Sequence, residues 1–167
     1  MPNWLVGDFK IRGTKEKLTN FLKNEIISVA YYPLEKAPDI KVTIDKEFED
    51  IKIESTNVLR LKFGRRNHLN VNALTFDFYG ESDECEIVVL EDVEFAWGIL
   101  PDGHQGGGIH QYVEKSKEYG VDFRFYGFEM GGEFNQEFEI INGELKFFRD
   151  IEFKDYKWEC VKPNMGG

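Results

Sequence analysis

Ala73-Leu74-Thr75-Phe76-Asp77-Phe78-Tyr79-Gly80 opens the stretch, running on to Phe134, whose reading decides the fold. After an acidic turn, Glu86 to Phe95 forms a second β-prone run, which leaves through Phe95-Ala96-Trp97-Gly98-Ile99-Leu100-Pro101. Gly106-Gly107-Gly108 bends the chain into 109–119, where Ile109, Tyr112, Val113, Ser116 and Tyr119 recur at the spacing of a helix with one buried face. Gly120 supplies the kind of residue on which helices commonly end, one that accepts the left-handed conformation. Val121-Asp122-Phe123-Arg124-Phe125 then alternates as a strand, and the stretch closes in Glu129-Met130-Gly131-Gly132-Glu133-Phe134. The order is strand, strand, helix, strand.

Working outward, Trp4 to Arg12 reads as a strand closed by Gly13. Thr14 is placed to cap a helix over 15–28, whose buried face holds Leu18, Phe21, Leu22, Ile26 and Val29. Strand, helix, strand, strand, helix, strand is the split βαβ, or ferredoxin-like, arrangement of an α+β domain. The expectation is one such domain over 1–167, with an inserted segment at about 35–70. That insertion carries short strand pieces at 41–45, 48–53 and 58–63. Asn142-Gly143 between two alternating runs is a strong hairpin signal, because both turn positions need positive φ. It predicts a C-terminal hairpin extension over 134–161, in which 155–161, with Trp158, adds a last edge strand.

The chain has 167 residues, enough for one sizeable core, and 15 Phe, 7 Tyr and 3 Trp supply the area to fill it. Two cysteines, Cys85 and Cys160, make neither a disulfide framework nor a zinc motif and read as reduced thiols. No apolar run reaches membrane-spanning length, and Met1-Pro2-Asn3-Trp4 lacks the basic and apolar parts of a signal peptide. A soluble, cytoplasmic protein is expected.

Charge is unevenly placed. The formal net charge is −10, yet residues 1–72 carry 13 Lys plus Arg against 10 Asp plus Glu. The remainder carries 8 against 21. No Lys or Arg occurs between Arg66 and Lys115, an interval holding Asp77, Glu81, Asp83, Glu84, Glu86, Glu91, Asp92, Glu94, Asp102 and Glu114. Gathered on one face, these carboxylates would repel phosphate backbones and attract basic protein surfaces. Arg60, Lys62, Arg65, Arg66 and His68 form the one basic cluster; it reads first as a solvated turn and, alternatively, as a nucleic-acid contact.

Other candidates are weaker. Asp102, His104 and His110 surround the glycine bend but match no metal-ligand spacing. Gly106-Gly107-Gly108 before a helix resembles a phosphate-cradling turn, but no basic residue accompanies it. Glu129 invites an acid/base role with Glu133 or Asp102, against a plainer one as acceptor for the amides of its glycine turn. Arg124-Phe125-Tyr126-Gly127-Phe128 resembles the aromatic strand of an RNA-binding sheet, although Phe123, Phe125 and Phe128 are more simply core. Trp97 reads equally as an interface anchor or as packing on the second helix.

Three separated motifs resemble the YubB-type ferredoxin-like domain, a family of small proteins of phages, plasmids and other mobile elements. They are the opening Met1-Pro2-Asn3-Trp4 with its strand ending at Gly13, Phe95-Ala96-Trp97 with Pro101 after it, and Glu129, Gly131 and Phe134 behind the last core strand. The resemblance implies a ferredoxin-like fold and a mobile-element origin, and it carries over no catalytic residue. No reaction, cofactor or metal is indicated. The expected function is a non-enzymatic accessory protein whose acidic surface (Asp77, Glu81, Asp83, Glu84, Glu86, Glu91, Asp92, Glu94) engages a basic site on a host protein. A nucleic-acid-handling defence enzyme is the natural target, which would make the chain an anti-CRISPR or anti-restriction type of inhibitor. The alternative is a nucleic-acid-binding module built on Arg60, Lys62, Arg65 and Arg66. No membrane contact is expected.

Overall fold

The computed structural model describes residues 3–29, 39–45, 50–64, 66–81, 83–101 and 107–160. Among them the chain forms eleven strands and three helices. Strand β1 (Trp4–Thr14) leads into helix α1 (Lys15–Glu25) and directly on to β2 (Ile26–Val29). Strands β3 (Lys41–Ile44), β4 (Ile51–Glu54), β5 (Val58–Leu61), β6 (Asn67–His68) and β7 (Ala73–Phe76) follow, then the long β8 (Cys85–Ala96). Helix α2 (Ile109–Tyr119), β9 (Asp122–Glu129), β10 (Phe134–Ile141), β11 (Glu144–Glu152) and a one-turn α3 (Tyr156–Glu159) complete the chain.

Six strands make one sheet in the order β11-β10-β9-β1-β8-β6, every neighbour antiparallel. The remaining strands form a β2-β5 pair and a three-stranded β3-β4-β7 sheet. This corrects the ferredoxin-like split βαβ expectation. That fold requires the strand after the first helix to lie in the main sheet, beside the strand feeding the second helix. Here β1 and β8 are antiparallel neighbours, from Trp4 opposite Ala96 to Thr14 opposite Cys85, but β2 lies outside the main sheet and the two-residue β6 stands beside β8 in its place. The cause lies between residues 26 and 70, where a helix end and an inserted segment were expected. Ile26-Ile27-Ser28-Val29 leaves α1 in extended conformation and pairs with β5, because β-branched side chains lose rotamer freedom in a helix and fit a pleated surface. The chain therefore leaves the main sheet after α1 and rejoins it at the edge strand β6.

Other expectations hold or shift locally. Helix α2 spans 109–119 as its periodicity indicates, and Gly120 ends it at φ +64. Asn142 and Gly143, at φ +52 and +70, turn β10 into β11. Thr14 sits at the N-cap of α1 but makes no side-chain capping bond. The expected edge strand at 155–161 is instead α3 over its described part, started by the Asp155 carboxylate accepting from the Trp158 amide. Residues 46–49, and with them the start of the expected 48–53 strand, lie outside the described residues.

Helices α1 and α2 cover one face of the sheet. Phe9, Ile11, Phe123, Phe125 and Phe138 from the strands meet Leu18, Phe21 and Leu22 of α1 and Ile109 and Tyr112 of α2. Burying a side chain of this size contributes about 1.5–3 kcal/mol, so these aromatics dominate the stabilisation. In the β1–β9 pairing Gly7 faces Gly127. A Cβ on Gly7 would lie 2.2 Å from the Tyr126 carbonyl oxygen.

One charged group is buried between the helices. Glu25, 1% exposed, accepts hydrogen bonds from Lys115 Nζ at 2.9 Å and Tyr119 Oη at 2.6 Å, while its second oxygen has no partner. Burial works against the Lys115 charge, but hydrogen bonds to Glu118 and Glu25 outweigh it and hold the ammonium above its ordinary pKa.

Candidate acidic docking site

The eight carboxylates singled out from sequence fall into two groups. Asp77, Glu81, Asp83, Glu84 and Glu86 surround the loop from β7 into β8, at the end of the sheet where Gly13 faces Glu86. Glu91, Asp92 and Glu94 lie further along β8. There Gly7 faces Val93 and Phe9 faces Leu90, so that Glu91 and Asp92 bulge opposite the single Asp8. Asp92 adopts the left-handed φ of +50 that this bulge imposes. Eight residues of strand separate Glu86 from Glu94, roughly 25 Å at the usual rise. Screening at physiological salt acts over about 8 Å, so the two groups do not act as one patch.

The first group is the more developed surface. Glu86 accepts from the amides of Tyr79, at 3.3 Å, and Gly80, at 2.8 Å, and so shapes the loop from within. Tyr79 Oη donates to Asp77 at 3.3 Å, and the neighbouring carboxylates Asp77 and Glu86 raise the pKa of its phenol. The Tyr79 ring is 86% exposed, with Glu81, Asp83 and Glu84 exposed beside it. None of the eight carboxylates forms an ion pair with another described residue. Elsewhere on the sheet the opposite holds, as Arg12 pairs with Asp122, Arg124 with Glu139 and Arg149 with Glu137. Next to Tyr79 a groove of about 1150 Å³ is lined by Lys15, Thr19, Asn20 and Lys23 of α1, Ile44 of β3 and Glu81.

The remaining candidates separate. Trp97 is 58% exposed at φ +57, with its amide donating to the Asn3 carbonyl, so it does not pack into the core beneath α2. Glu129 is buried and accepts from the amides of Gly131 and Gly132, the plainer of its two readings. Phe123 and Phe125 belong to the main core, and Phe128 to a small cluster with Tyr156 and Cys160. His110 is exposed on α2, while Asp102, His104 and Gly106 lie outside the described residues. Among the described residues no group of three or more metal-ligating side chains gathers, and both cysteines are free. No helix among them is long and apolar enough to cross a membrane. In the basic cluster, Arg60 is half-buried, Lys62 and Arg66 are exposed, His68 is buried, and Arg65 lies outside the described residues.

Sequence reasoning passed over Tyr79, which it counted as part of a strand. Strand β7 ends at Phe76, and the signal that could have found the tyrosine is its position before Gly80 in a run of carboxylates. Comparison with protein-family models, with curated proteins and with solved structures found no match to this chain.

Proposed function

We propose that this chain is a non-enzymatic binding protein whose 77–86 loop docks on a lysine- and arginine-rich face of another protein. The observation that carries the reading is Tyr79, a solvent-exposed ring set among carboxylates that have no cationic partner among the described residues. Tyrosine is enriched among residues that dominate binding energies, since it offers a large rigid contact together with a polar tip. Uncompensated carboxylates around it raise the rate of encounter with a basic partner and select against acidic ones. Glu91, Asp92 and Glu94 are too remote to share that contact and supply only the long-range field. Basic faces of this kind are common on proteins that handle nucleic acids, which makes such proteins the natural partner class.

The test uses a fluorescent oligo-arginine peptide and reads anisotropy at low and high salt. The protein with Glu81, Asp83 and Glu84 replaced by Ser is expected to lose binding, and Tyr79→Ala to weaken it about tenfold. Replacing Glu91, Asp92 and Glu94 by Ser should change affinity far less. Equal losses in the two triple variants would overturn the assignment of the site.

A further inference from the structure

The described arginines divide into two kinds. Arg12, Arg124 and Arg149 on the open face of the main sheet each hold a carboxylate. Arg60 and Arg66 hold none among the described residues. Arg60 lies on β5 and Arg66 immediately before β6, and hydrogen bonds tie these two strands' ends together. The Asn67 side chain accepts from the Leu61 amide at 2.8 Å and donates to the Leu61 and Phe63 carbonyls, and the Leu69 amide bonds the Leu59 carbonyl at 2.9 Å. Leu59 and Leu61 point into the core, which leaves Arg60 on the other side of β5 together with Lys62. The Nε of Arg60 is enclosed and has no acceptor. Arg66 is anchored by its carbonyl to the Ala96 amide, and its guanidinium lies 5.4 Å from the Trp4 ring centre. The His68 ring lies 5.4 Å from the same indole. Burial lowers the His68 pKa, and Arg66 and Arg60 lower it further, as expected where positive groups converge.

Holding a guanidinium half out of water without a counter-charge is costly, and arginine cannot relieve the cost by losing its proton. An anion arriving at this corner would meet the outer guanidinium nitrogens of Arg60 and Arg66, which donate to no side chain among the described residues. We infer that Arg60 and Arg66, backed by Trp4 and His68, form a binding site for a single phosphate group. Guanidinium forks match phosphate oxygens in pairs, whereas a lone chloride satisfies only one donor at a time. Glu94 faces His68 across the β6–β8 pairing but forms an ion pair with neither arginine. The net charge of −10 opposes a long polyanion more than a small one, so a phosphomonoester is favoured over a nucleic-acid strand. This site is independent of the 77–86 loop.

The experiment titrates the ¹⁵N-labelled chain with inorganic phosphate, and separately with a short single-stranded oligonucleotide, at constant ionic strength set with chloride. Saturable shifts of the Arg60 Nε–Hε and Trp4 indole resonances with phosphate are expected. They should vanish in Arg66→Gln, whose exposed site leaves the fold unchanged by circular dichroism, and Arg60→Lys should bind about tenfold more weakly. Shifts with the oligonucleotide that Arg66→Gln abolishes would assign the same phosphate chemistry to nucleic acid. No saturable shift with either ligand, or shifts that persist in Arg66→Gln, would overturn the inference.

Discussion

Lys115→Met tests how the two helices are held together. The substitution keeps an unbranched apolar stem, one atom shorter, but removes the cation that faces Glu25 at 2.9 Å. At an effective dielectric constant of about 20, two unit charges at that distance attract by roughly 6 kcal/mol before desolvation is counted. Removing one partner of a fully buried pair costs about 3–5 kcal/mol. Lys115 is 23% exposed and Tyr119 still donates to the carboxylate, so the expected loss is smaller, about 2–3 kcal/mol. In a chain of this length that corresponds to a fall in Tm of roughly 5–10 °C. Urea unfolding followed by circular dichroism measures it, with the denaturant slope expected to stay constant. The charge argument makes a second demand. Replacing Glu25 and Lys115 by Met and Tyr119 by Phe removes the buried carboxylate together with both of its partners and leaves only the exposed Glu118, and stability should return to within about 1 kcal/mol of the parent. A Lys115→Met cost below about 0.5 kcal/mol, or a triple variant no better than the single one, would refute the reasoning.

Three further outcomes follow from the geometry. Gly7→Ala forces a Cβ against backbone of β9 that can move only by parting the sheet, so it should cost about 3 kcal/mol by urea unfolding, far more than an alanine at exposed Gly120. Glu129→Gln keeps the shape but loses the charge received by the Gly131 and Gly132 amides, and about 1–2 kcal/mol of stability should go with it; an unchanged unfolding midpoint would contradict the capping role. Asp39 accepts from the Thr56 hydroxyl and amide, which hold its carboxyl below the ordinary value of 3.8. Its contribution is therefore full above that pH and lost as pH falls through the lower folded-state value. Asp39→Asn should flatten the acid limb of the stability profile below about pH 4 and leave the shape of the neutral region unaltered.

What the sequence made legible is the part where local signals agree. Along 109–120 the apolar spacing and the terminal glycine point to the same helix, and at 142–143 the turn chemistry and the flanking alternation point to the same hairpin. The 26–29 run failed because Ile26 and Val29 continue the helical spacing of α1, while the β-branched character of three of its four side chains favours a strand. That local choice governs the topology, since it sends β2 out of the main sheet and leaves the place beside β8 to the two-residue β6. The pairing of β2 with β5 is a long-range outcome with no local signature. The acidic interval was plain as composition. Its division into two groups was not, because the division depends on where β8 begins and how far it extends. Tyr79 was missed because its exposure comes from β7 ending three residues earlier.

The most direct measurement of the docking claim is chemical-shift mapping of the ¹⁵N-labelled chain with the oligo-arginine peptide at low salt. Perturbations should centre on Tyr79, Gly80, Glu81 and Glu84, extend into the groove at Thr19 and Ile44, and fade as salt is raised. Perturbations centred instead on Glu91, Asp92 and Glu94, or on the ion-paired face around Arg12 and Arg124, would contradict it.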